Sequence, residues 1–244
     1  MNIILMGSSG QLGKEIIIQK PKKYNLIQTT RKNLNFESLK NIDNIIKKYN
    51  PRWIINAAAF TNVEKAETEK DKTYLINYAA PEYIAKRIKG SKTNLIHISS
   101  DYVFDGNNGT PYKTNSKINP LNIYGKSKAL AERSIQKILR NPNQAIIVRT
   151  SWLVSPFNNN FAKKILYLHQ TQDSIKVIND QIGSLTSASS LSSFCWEIIN
   201  YYETHGFSSP EVEILHWSNQ GFTTWYEIAI KIGEIAKDLN LIKK

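Results

Sequence analysis

The sequence predicts an α/β protein built on a doubly wound parallel sheet, with a small C-terminal lobe. Two observations support this. Short apolar runs alternate with helical patterns over the first two-thirds of the 244 residues, and a glycine-rich loop joins the first run to the first helical pattern. Such alternation is typical of βαβ units, whose strands pair in parallel. We expect one domain over residues 1–172 and a mixed segment over 173–244 that adds to the sheet edge and forms the lobe.

Each element follows from the length and the flanks of its pattern. The apolar runs are too short for helices and are bounded by glycine, proline, asparagine or serine. They predict strands at Ile3–Met6, Asn25–Thr29, Trp53–Asn56, Asn94–Ser99 and Ala145–Arg149. The intervening helices are predicted at Gln11–Gln19, Ser38–Tyr49, Tyr74–Lys89 and Ser127–Arg140. After Thr150 the pattern predicts helices at Phe161–Gln170, Ser189–Tyr202 and Thr223–Leu239, and strands at Ser174–Val177 and Glu213–Trp217.

Composition limits the partners. The net charge is +12, but the lysines are scattered through segments that predict solvated helix faces, so we expect no nucleic-acid partner. No apolar run approaches the roughly 20 residues that span a bilayer, so we expect no membrane partner. The N-terminus lacks the features of a signal peptide, and the single cysteine, Cys195, allows no internal disulfide. These observations favour a cytoplasmic protein, and the basic charge suits a small polyanionic ligand.

The first predicted strand runs into a G-x-x-G-x-x-G loop and then a helix. Glycines let the backbone approach a pyrophosphate, and a helix N-terminus offers free N–H groups and partial positive charge. A glycine-rich turn with a packing role only is the alternative, but the strand–loop–helix context favours a Rossmann-like dinucleotide site. The residues assigned to it are Gly7, Gly10, Gln11, Leu12 and Gly13.

The residues after the second strand indicate which dinucleotide binds. NAD enzymes usually place a carboxylate there for the ribose 2′-hydroxyl, whereas this chain has Thr29-Thr30-Arg31-Lys32. An arginine can hold a 2′-phosphate that a carboxylate would repel. Thr30 and Arg31 therefore predict NADPH, with NADH as the alternative. The competing interpretation is that Arg31 and Lys32 are solvated loop charges.

Tyr124 and Lys128 form a Y-x-x-x-K pattern that predicts acid catalysis. Residues four apart lie on one helix face, and an ammonium beside a phenol lowers the phenol pKa, so Tyr124 could protonate a carbonyl oxygen. Ser100 ends an apolar strand, at the sheet edge where ligands bind in open α/β sheets. We expect the three side chains to form one reaction centre. Alone, the tyrosine–lysine pattern could be a surface helix pair.

Together these residues resemble the dTDP-4-dehydrorhamnose reductase family, a group of extended short-chain dehydrogenases. Further segments carry the resemblance, in order along the chain. They are Asn56-Ala57-Ala58-Ala59-Phe60-Thr61-Asn62-Val63-Glu64-Lys65-Ala66-Glu67, Ser99-Ser100-Asp101-Tyr102-Val103-Phe104-Asp105-Gly106, Pro120-Leu121-Asn122-Ile123-Tyr124-Gly125-Lys126-Ser127-Lys128, Arg149-Thr150-Ser151-Trp152, Asn159-Asn160-Phe161 and Asn179-Asp180-Gln181-Ile182-Gly183.

The resemblance implies reduction by NADPH of the C4 keto group of a nucleotide-linked 6-deoxyhexose, in the synthesis of polysaccharide precursors. It implies that Ser100, Tyr124 and Lys128 are the catalytic hydroxyl, acid and lysine. The other implied contacts are the cofactor at Ala57, Ala58 and Ala59, the adenine at Asn35 and Phe36, and the sugar at Ser100, Asp101 and Trp152. We expect no metal site, and a homodimer is the candidate assembly.

Three departures from the family pattern leave alternatives open. Asn35 replaces an aspartate that the family usually has, and Gly183-Ser184-Leu185-Thr186 replaces Gly-x-Pro-Thr. Relatives continue beyond Lys244 through a segment that helps to close the sugar-nucleotide site, so we expect a shortened C-terminus with near-normal cofactor affinity. Sugar-nucleotide affinity should be weak, or the site should need a partner chain to complete it. The alternative function is a non-catalytic, cofactor-binding relative that acts as a partner or regulatory subunit.

Overall fold

The main sheet has six parallel strands in the order β2-β1-β3-β4-β5-β9. The computed structural model describes residues 1–36, 38–140 and 143–242. The strands of this sheet are β1 (Asn2–Met6), β2 (Asn25–Thr29), β3 (Trp53–Asn56), β4 (Asn94–Ser100), β5 (Ala145–Thr150) and β9 (Glu213–Trp217). The predicted doubly wound, Rossmann-like fold is confirmed, and the six strand positions agree with prediction to within one residue at each end.

Helices cover both faces of the sheet, and two of the described helices belong to the lobe. The helices are α1 (Gln11–Ile18), α2 (Lys40–Tyr49), α3 (Val63–Thr68), α4 (Lys70–Tyr74), α5 (Ala80–Ile88), α6 (Ile123–Leu139), α7 (Phe161–Thr171), α8 (Ala188–His205) and α9 (Trp225–Asp238). Those of the lobe are α7 and α9. Side chains alternate between the faces of a strand. Thus Ile3 and Leu5 of β1 join the core under α1 and α8, whereas Ile4 and Met6 join the core under α2, α5 and α6. Burial on both faces explains why the strands are continuous apolar runs.

The strand order reverses between β1 and β3, since β2 lies beyond β1 on one side and β4 lies beyond β3 on the other. In open α/β sheets a ligand crevice forms at such a switch point, outside the carboxyl ends of the strands. The loops after β1 and β3 therefore face each other at the place where the sequence predicts a dinucleotide.

The C-terminal segment contributes to both the sheet and the lobe. Helix α8 packs on α1, and β9 extends the sheet beside β5. The lobe is formed by the packing of α7 on α9 and by two small strand pairs. These strands are β6 (Leu153–Val154) with β8 (Thr186–Ser187), and β7 (Ile182–Gly183) with β10 (Thr223–Thr224). The division at residue 172 stays a prediction.

Several predicted elements are wrong or displaced. The predicted strand at Ser174–Val177 is absent among the described residues, because the chain meets a partner strand only at Ile182–Gly183. Helix α6 begins at Ile123, four residues before the predicted start, because the Asn122 side chain accepts a hydrogen bond from the backbone N–H of Gly125. The predicted helix from Tyr74 begins instead at Lys70 and includes a π-helical turn at Leu75–Ala79. Helix α3 was not predicted.

Thr223 and Thr224 form β10 rather than the start of a helix, and α9 follows with a capping box between Thr224 and Glu227. Across the part of the chain that the structure describes, every helix is too short or too polar to cross a membrane.

Candidate active site

A cleft of about 1150 Å³ runs along the carboxyl ends of the strands, at the switch point between β1 and β3. The predicted site residues that line it are Gly7, Gly10, Gln11, Leu12, Thr30, Arg31, Asn35, Phe36, Ala57, Ala58, Ala59, Ser100, Asp101, Tyr124, Lys128 and Trp152. Of the predicted set only Gly13 lies behind the cleft wall. The structure therefore gathers the predicted residues at one place, and their individual roles stay predictions.

The glycine loop is shaped for close approach of backbone to backbone. Gly7 has a φ of 84°, and a Cβ there would lie 2.7 Å from the backbone nitrogen of Ala58. A Cβ on Gly13 would lie 2.2 Å from the carbonyl oxygen of Gly7, so this glycine is needed for the packing of α1 against the loop. Gly10 caps α1 without a side chain, and the first turn carries no acidic residue. The open N–H groups of this turn fit the pyrophosphate of a dinucleotide.

A second segment, distant in sequence, is tied to the glycine loop. Gln11 Oε1 accepts hydrogen bonds from Ser155 Oγ at 3.0 Å and from Asn160 Nδ2 at 2.9 Å. Asn158 Nδ2 donates to the carbonyl oxygen of Ser9 at 2.8 Å. Residues 155–160 were not among the predicted cofactor contacts, although a run of asparagines stands there in the sequence. These hydrogen bonds hold Ser155, Asn158 and Asn160 against the glycine loop.

Ser100, Tyr124 and Lys128 converge on the cleft from two elements. Ser100 ends β4, while Tyr124 and Lys128 lie one turn apart on α6. Gly125 permits this approach, because a Cβ there would lie 2.1 Å from the carbonyl oxygen of Tyr102 in the turn that follows β4. A glycine beside the tyrosine is thus a steric requirement of the site.

The Tyr124 phenol is protonated at neutral pH. Burial raises its pKa to about 12, the negative charges of Asp101 and Tyr102 act in the same direction, and a hydrogen bond with Ser100 opposes them. The prediction that Lys128 lowers this pKa is wrong for this structure, because the Lys128 amine is directed elsewhere. Its Nζ donates to the carbonyl oxygen of Ile98 at 2.6 Å. A protonated phenol is the state that a general acid requires.

Two buried polar residues behind Lys128 were not predicted from the sequence. His97 Nε2 lies 3.5 Å from Lys128 Nζ, and His97 Nδ1 lies 3.2 Å from Asn56 Nδ2. His97 lies inside an otherwise apolar strand and Asn56 ends another, and these two polar side chains were the available signal. They lie beneath Lys128 and do not line the cleft themselves.

Asp101 follows Ser100 at the edge of the cleft. Its carboxylate accepts a hydrogen bond from Ser100 Oγ at 2.9 Å. Burial raises the pKa of Asp101 from 3.8 to about 6, although hydrogen bonds from Ser100 and the local backbone act to lower it. The carboxyl group therefore changes charge just below neutral pH, next to the predicted catalytic hydroxyl.

This shift gives a signed prediction for stability. The unfolded chain loses the Asp101 proton near pH 3.8 and the folded chain near pH 6, so the carboxylate destabilises the fold progressively across that interval. Asp101→Asn is therefore expected to gain stability relative to the wild type as the pH rises from about 4 to about 7. Urea unfolding across this range measures the difference.

Asp105→Asn is the matched control with the opposite sign. Hydrogen bonds from Asn119 and Tyr112 lower the pKa of Asp105 to about 2. Its carboxylate stabilises the fold above the unfolded value of 3.8, and this stabilisation is lost as the pH falls toward 2. The control variant should be the less stable one at neutral pH. A constant difference between Asp101→Asn and the wild type at every pH would contradict the assignment.

Comparison with known proteins agrees with this geometry. The model of the RmlD substrate binding domain family matches residues 1–241. A dTDP-4-dehydrorhamnose reductase of Shigella flexneri is 36% identical over 97% of this chain and 79% of its own length. The chain belongs to the dTDP-4-dehydrorhamnose reductase family.

Two further relatives extend the comparison. The spore coat polysaccharide biosynthesis protein SpsK of Bacillus subtilis is 36% identical over 95% of this chain and 78% of its own length. A crystal structure of the dTDP-4-dehydrorhamnose reductase of Bacillus anthracis in complex with NADP superimposes with a TM-score of 0.87 at 32% identity, over 97% of this chain and 81% of that one. The chain thus spans about four-fifths of the length of these relatives.

In this member of the reductase family, Trp152 belongs to an aromatic cluster at the lobe end of the cleft. Its ring stacks on Trp225 with a centroid distance of 3.8 Å, and Phe161 lies 4.4 Å from Trp225. Gly183 packs against the Trp152 ring, where a Cβ would lie at 2.7 Å. Trp152 was predicted from the sequence as a site residue, whereas Trp225 was not, because it lies inside a segment that was predicted only as a helix. Trp152 as a sugar contact stays a prediction.

Arg31 lies at the other end of the cleft, in the turn after β2. Its side chain is exposed, as is that of Lys32. Asn33 Oδ1 accepts a hydrogen bond from the backbone N–H of Thr30 at 2.7 Å and shapes this turn. Arg31 is therefore placed beside the region that the adenine ribose occupies in a dinucleotide fold.

Proposed function

We propose that this chain uses NADPH to reduce the C4 keto group of dTDP-4-dehydrorhamnose, in the synthesis of cell-surface polysaccharide precursors. The observation that carries the proposal is the convergence of Ser100, Tyr124 and Lys128 on the cleft at the switch point of a reductase-family fold. The names of the relatives, which include dTDP-4-dehydrorhamnose reductases and a spore coat polysaccharide biosynthesis protein, support the same reaction.

The residues divide the work of carbonyl reduction. NADPH supplies the hydride when it is bound, and the glycine loop with the N-terminus of α1 would hold its pyrophosphate. Ser100 Oγ would exchange its hydrogen bond to Asp101 for one to the substrate carbonyl oxygen, which it positions toward Tyr124. Tyr124 donates its phenolic proton to that oxygen, and its high pKa keeps the proton in place until negative charge develops. Lys128 lies beside the tyrosine and would contact the nicotinamide ribose.

The test is NADPH oxidation, followed by absorbance, against a panel of keto-sugar nucleotides that differ in base and in sugar. We expect turnover with dTDP-4-dehydrorhamnose and slower turnover with ketones that lack the dTDP group. Binding of NADPH without turnover of any panel member would instead favour the non-catalytic relative. Failure to bind NADPH would refute the proposal as a whole. A cytoplasmic location and a homodimer stay predictions.

Cofactor preference gives a second test. Arg31→Ala is expected to weaken NADPH binding while NADH binding changes little, because only NADPH carries the 2′-phosphate that the guanidinium would contact. Dissociation constants for both cofactors, from the quenching of tryptophan fluorescence, measure the effect. The matched control is Arg133→Ala, which removes an exposed arginine of α6 that does not line the cleft. Equal binding of the two cofactors by the wild type would contradict the predicted preference.

A further inference from the structure

A buried polar chain leads from the backbone at the cofactor side of the cleft to Lys128. Its members are Asn56 on β3, His97 on β4 and Lys128 on α6, and each has an exposed fraction of 1% or less. The mechanism proposed above uses Lys128 but assigns no task to the other two side chains. Buried polar groups are costly unless each finds a partner, so the direction of every hydrogen bond in the chain is informative.

The direction of these hydrogen bonds is set at Asn56. The backbone N–H of Ala58 donates to Asn56 Oδ1 at 3.3 Å, and a backbone N–H group can only donate. The Asn56 amide is thereby oriented with Nδ2 toward His97 Nδ1, at 3.2 Å. Because Nδ2 can only donate, Nδ1 accepts, and the neutral imidazole carries its proton on Nε2.

The proton on His97 Nε2 points at the lysine. Lys128 Nζ lies 3.5 Å from Nε2 and donates to the carbonyl oxygen of Ile98 at 2.6 Å. An ammonium has three donors and no acceptor, so it would oppose this N–H group, whereas a neutral amine offers a lone pair to it. With a neutral amine, every donor from Ala58 to Ile98 points in one direction and meets an acceptor.

We propose that His97 is a positioning residue that, oriented by Asn56, holds Lys128 as a neutral amine in the ligand-free protein at mildly alkaline pH and lets it take up a proton when NADPH binds. The inference rests on the proposed function, because it needs the cofactor. NADPH would bring several negative charges into the cleft, and its ribose hydroxyl oxygens could accept from an ammonium. Both effects favour the charged lysine in the complex.

The charges around these three buried side chains are consistent with this role. Burial lowers the pKa of Lys128 to about 8, and the carboxylate of Glu132, one turn further along α6, acts in the opposite direction. Burial, and then the charge of Lys128, hold the pKa of His97 well below 6.5, so the imidazole is neutral in the neutral and alkaline range. Tyr124, on the preceding turn of α6, is protonated there as well. Lys128 is thus the member of the group that titrates in the mildly alkaline range.

The experiment is calorimetric titration with NADPH at about pH 9, in two buffers of different ionisation enthalpy, which gives the number of protons taken up on binding. We expect the wild type to take up most of one proton per NADPH. Lys128→Met, titrated at higher NADPH concentration, should take up none. Binding by the wild type without proton uptake would overturn the inference and leave the proposed function intact. Absence of NADPH binding would overturn both.

Asn56→Asp tests the direction of the hydrogen bonds from Asn56 through His97 to Lys128. A carboxylate accepts from both the Ala58 N–H and His97 Nδ1–H, so the imidazole presents a lone pair to Lys128 and the lysine is already an ammonium before NADPH binds. Proton uptake at about pH 9 should therefore be lost in this variant while NADPH still binds.

Asn143→Asp, at another buried asparagine outside the cleft, is the matched control and should keep the uptake of the wild type. Retained uptake in Asn56→Asp, or uptake in Lys128→Met, would assign the proton to another group and overturn the inference. If Asn56→Asp fails to fold, the comparison of the wild type with Lys128→Met still decides whether the lysine takes the proton.

Discussion

Tyr124→Phe is expected to lower kcat by about 10²–10⁴-fold, the usual contribution of a positioned general acid. The change removes one oxygen atom and the proton that it carries, and it keeps the ring that packs edge-on against Tyr102 with a centroid distance of 5.4 Å. NADPH affinity should stay close to that of the wild type. Steady-state kinetics with dTDP-4-dehydrorhamnose and a separate cofactor titration measure the two quantities.

The matched control for this variant is Tyr24→Phe. Tyr24 also donates from its hydroxyl, to Asn200 Oδ1 at 2.6 Å, but it lies outside the cleft. The control should keep wild-type kcat, because the same atom is removed far from the reacting carbonyl. A Tyr124→Phe enzyme that retained a rate within a few-fold of the wild type would assign the proton donor to another group.

Glu132→Ala is expected to lower the free energy of unfolding by about 3–5 kcal/mol, since it leaves a buried arginine without its counter-ion. Glu132 and Arg149 form an ion pair of 2.7 Å with side chains 1% and 4% exposed. Arg149 also donates to the carbonyl oxygen of Thr114, and its guanidinium lies over the ring of Phe104. The loss should appear as a lower midpoint in urea unfolding.

The exposed pair on α9 is the control for the ion pair. Glu234 lies 2.9 Å from Lys231, with both side chains more than half exposed. Glu234→Ala should therefore change the free energy of unfolding by no more than about 1 kcal/mol. Similar losses in the two variants would mean that burial is not the source of the Glu132 effect. Glu132 also accepts a hydrogen bond from Ser99, which lines the cleft beside Ser100. Because losing this bond would disturb the predicted catalytic serine, Glu132→Ala should lower kcat as well.

The positions of the six main strands and the place of the site could be predicted from the sequence. Strands that are buried on both faces are continuous apolar runs, and the rule for open α/β sheets puts the residues after their carboxyl ends in one cleft. The lobe was harder to predict, because its strands have two residues each and depend on pairing with distant segments. The error at Ser174–Val177 has this origin, since the chain pairs with a distant strand only at Ile182–Gly183. The displaced start of α6 has a local cause, the side-chain cap of Asn122, which the predicted start missed.

By itself the sequence determined the kind of chemistry: a glycine loop for a pyrophosphate, Arg31 where an acid would select NAD, and a serine, a tyrosine and a lysine at the spacing of one reaction centre. These are local patterns, and they can be recognised in the sequence alone. Only the tertiary structure decided the state of those groups. The pKa of Tyr124 is set by burial, the partners of Lys128 come from β3 and β4, and the face of Trp152 is covered by Trp225 from α9. Desolvation and hydrogen-bond direction depend on which distant residues the fold brings into contact, and no spacing in the chain encodes that.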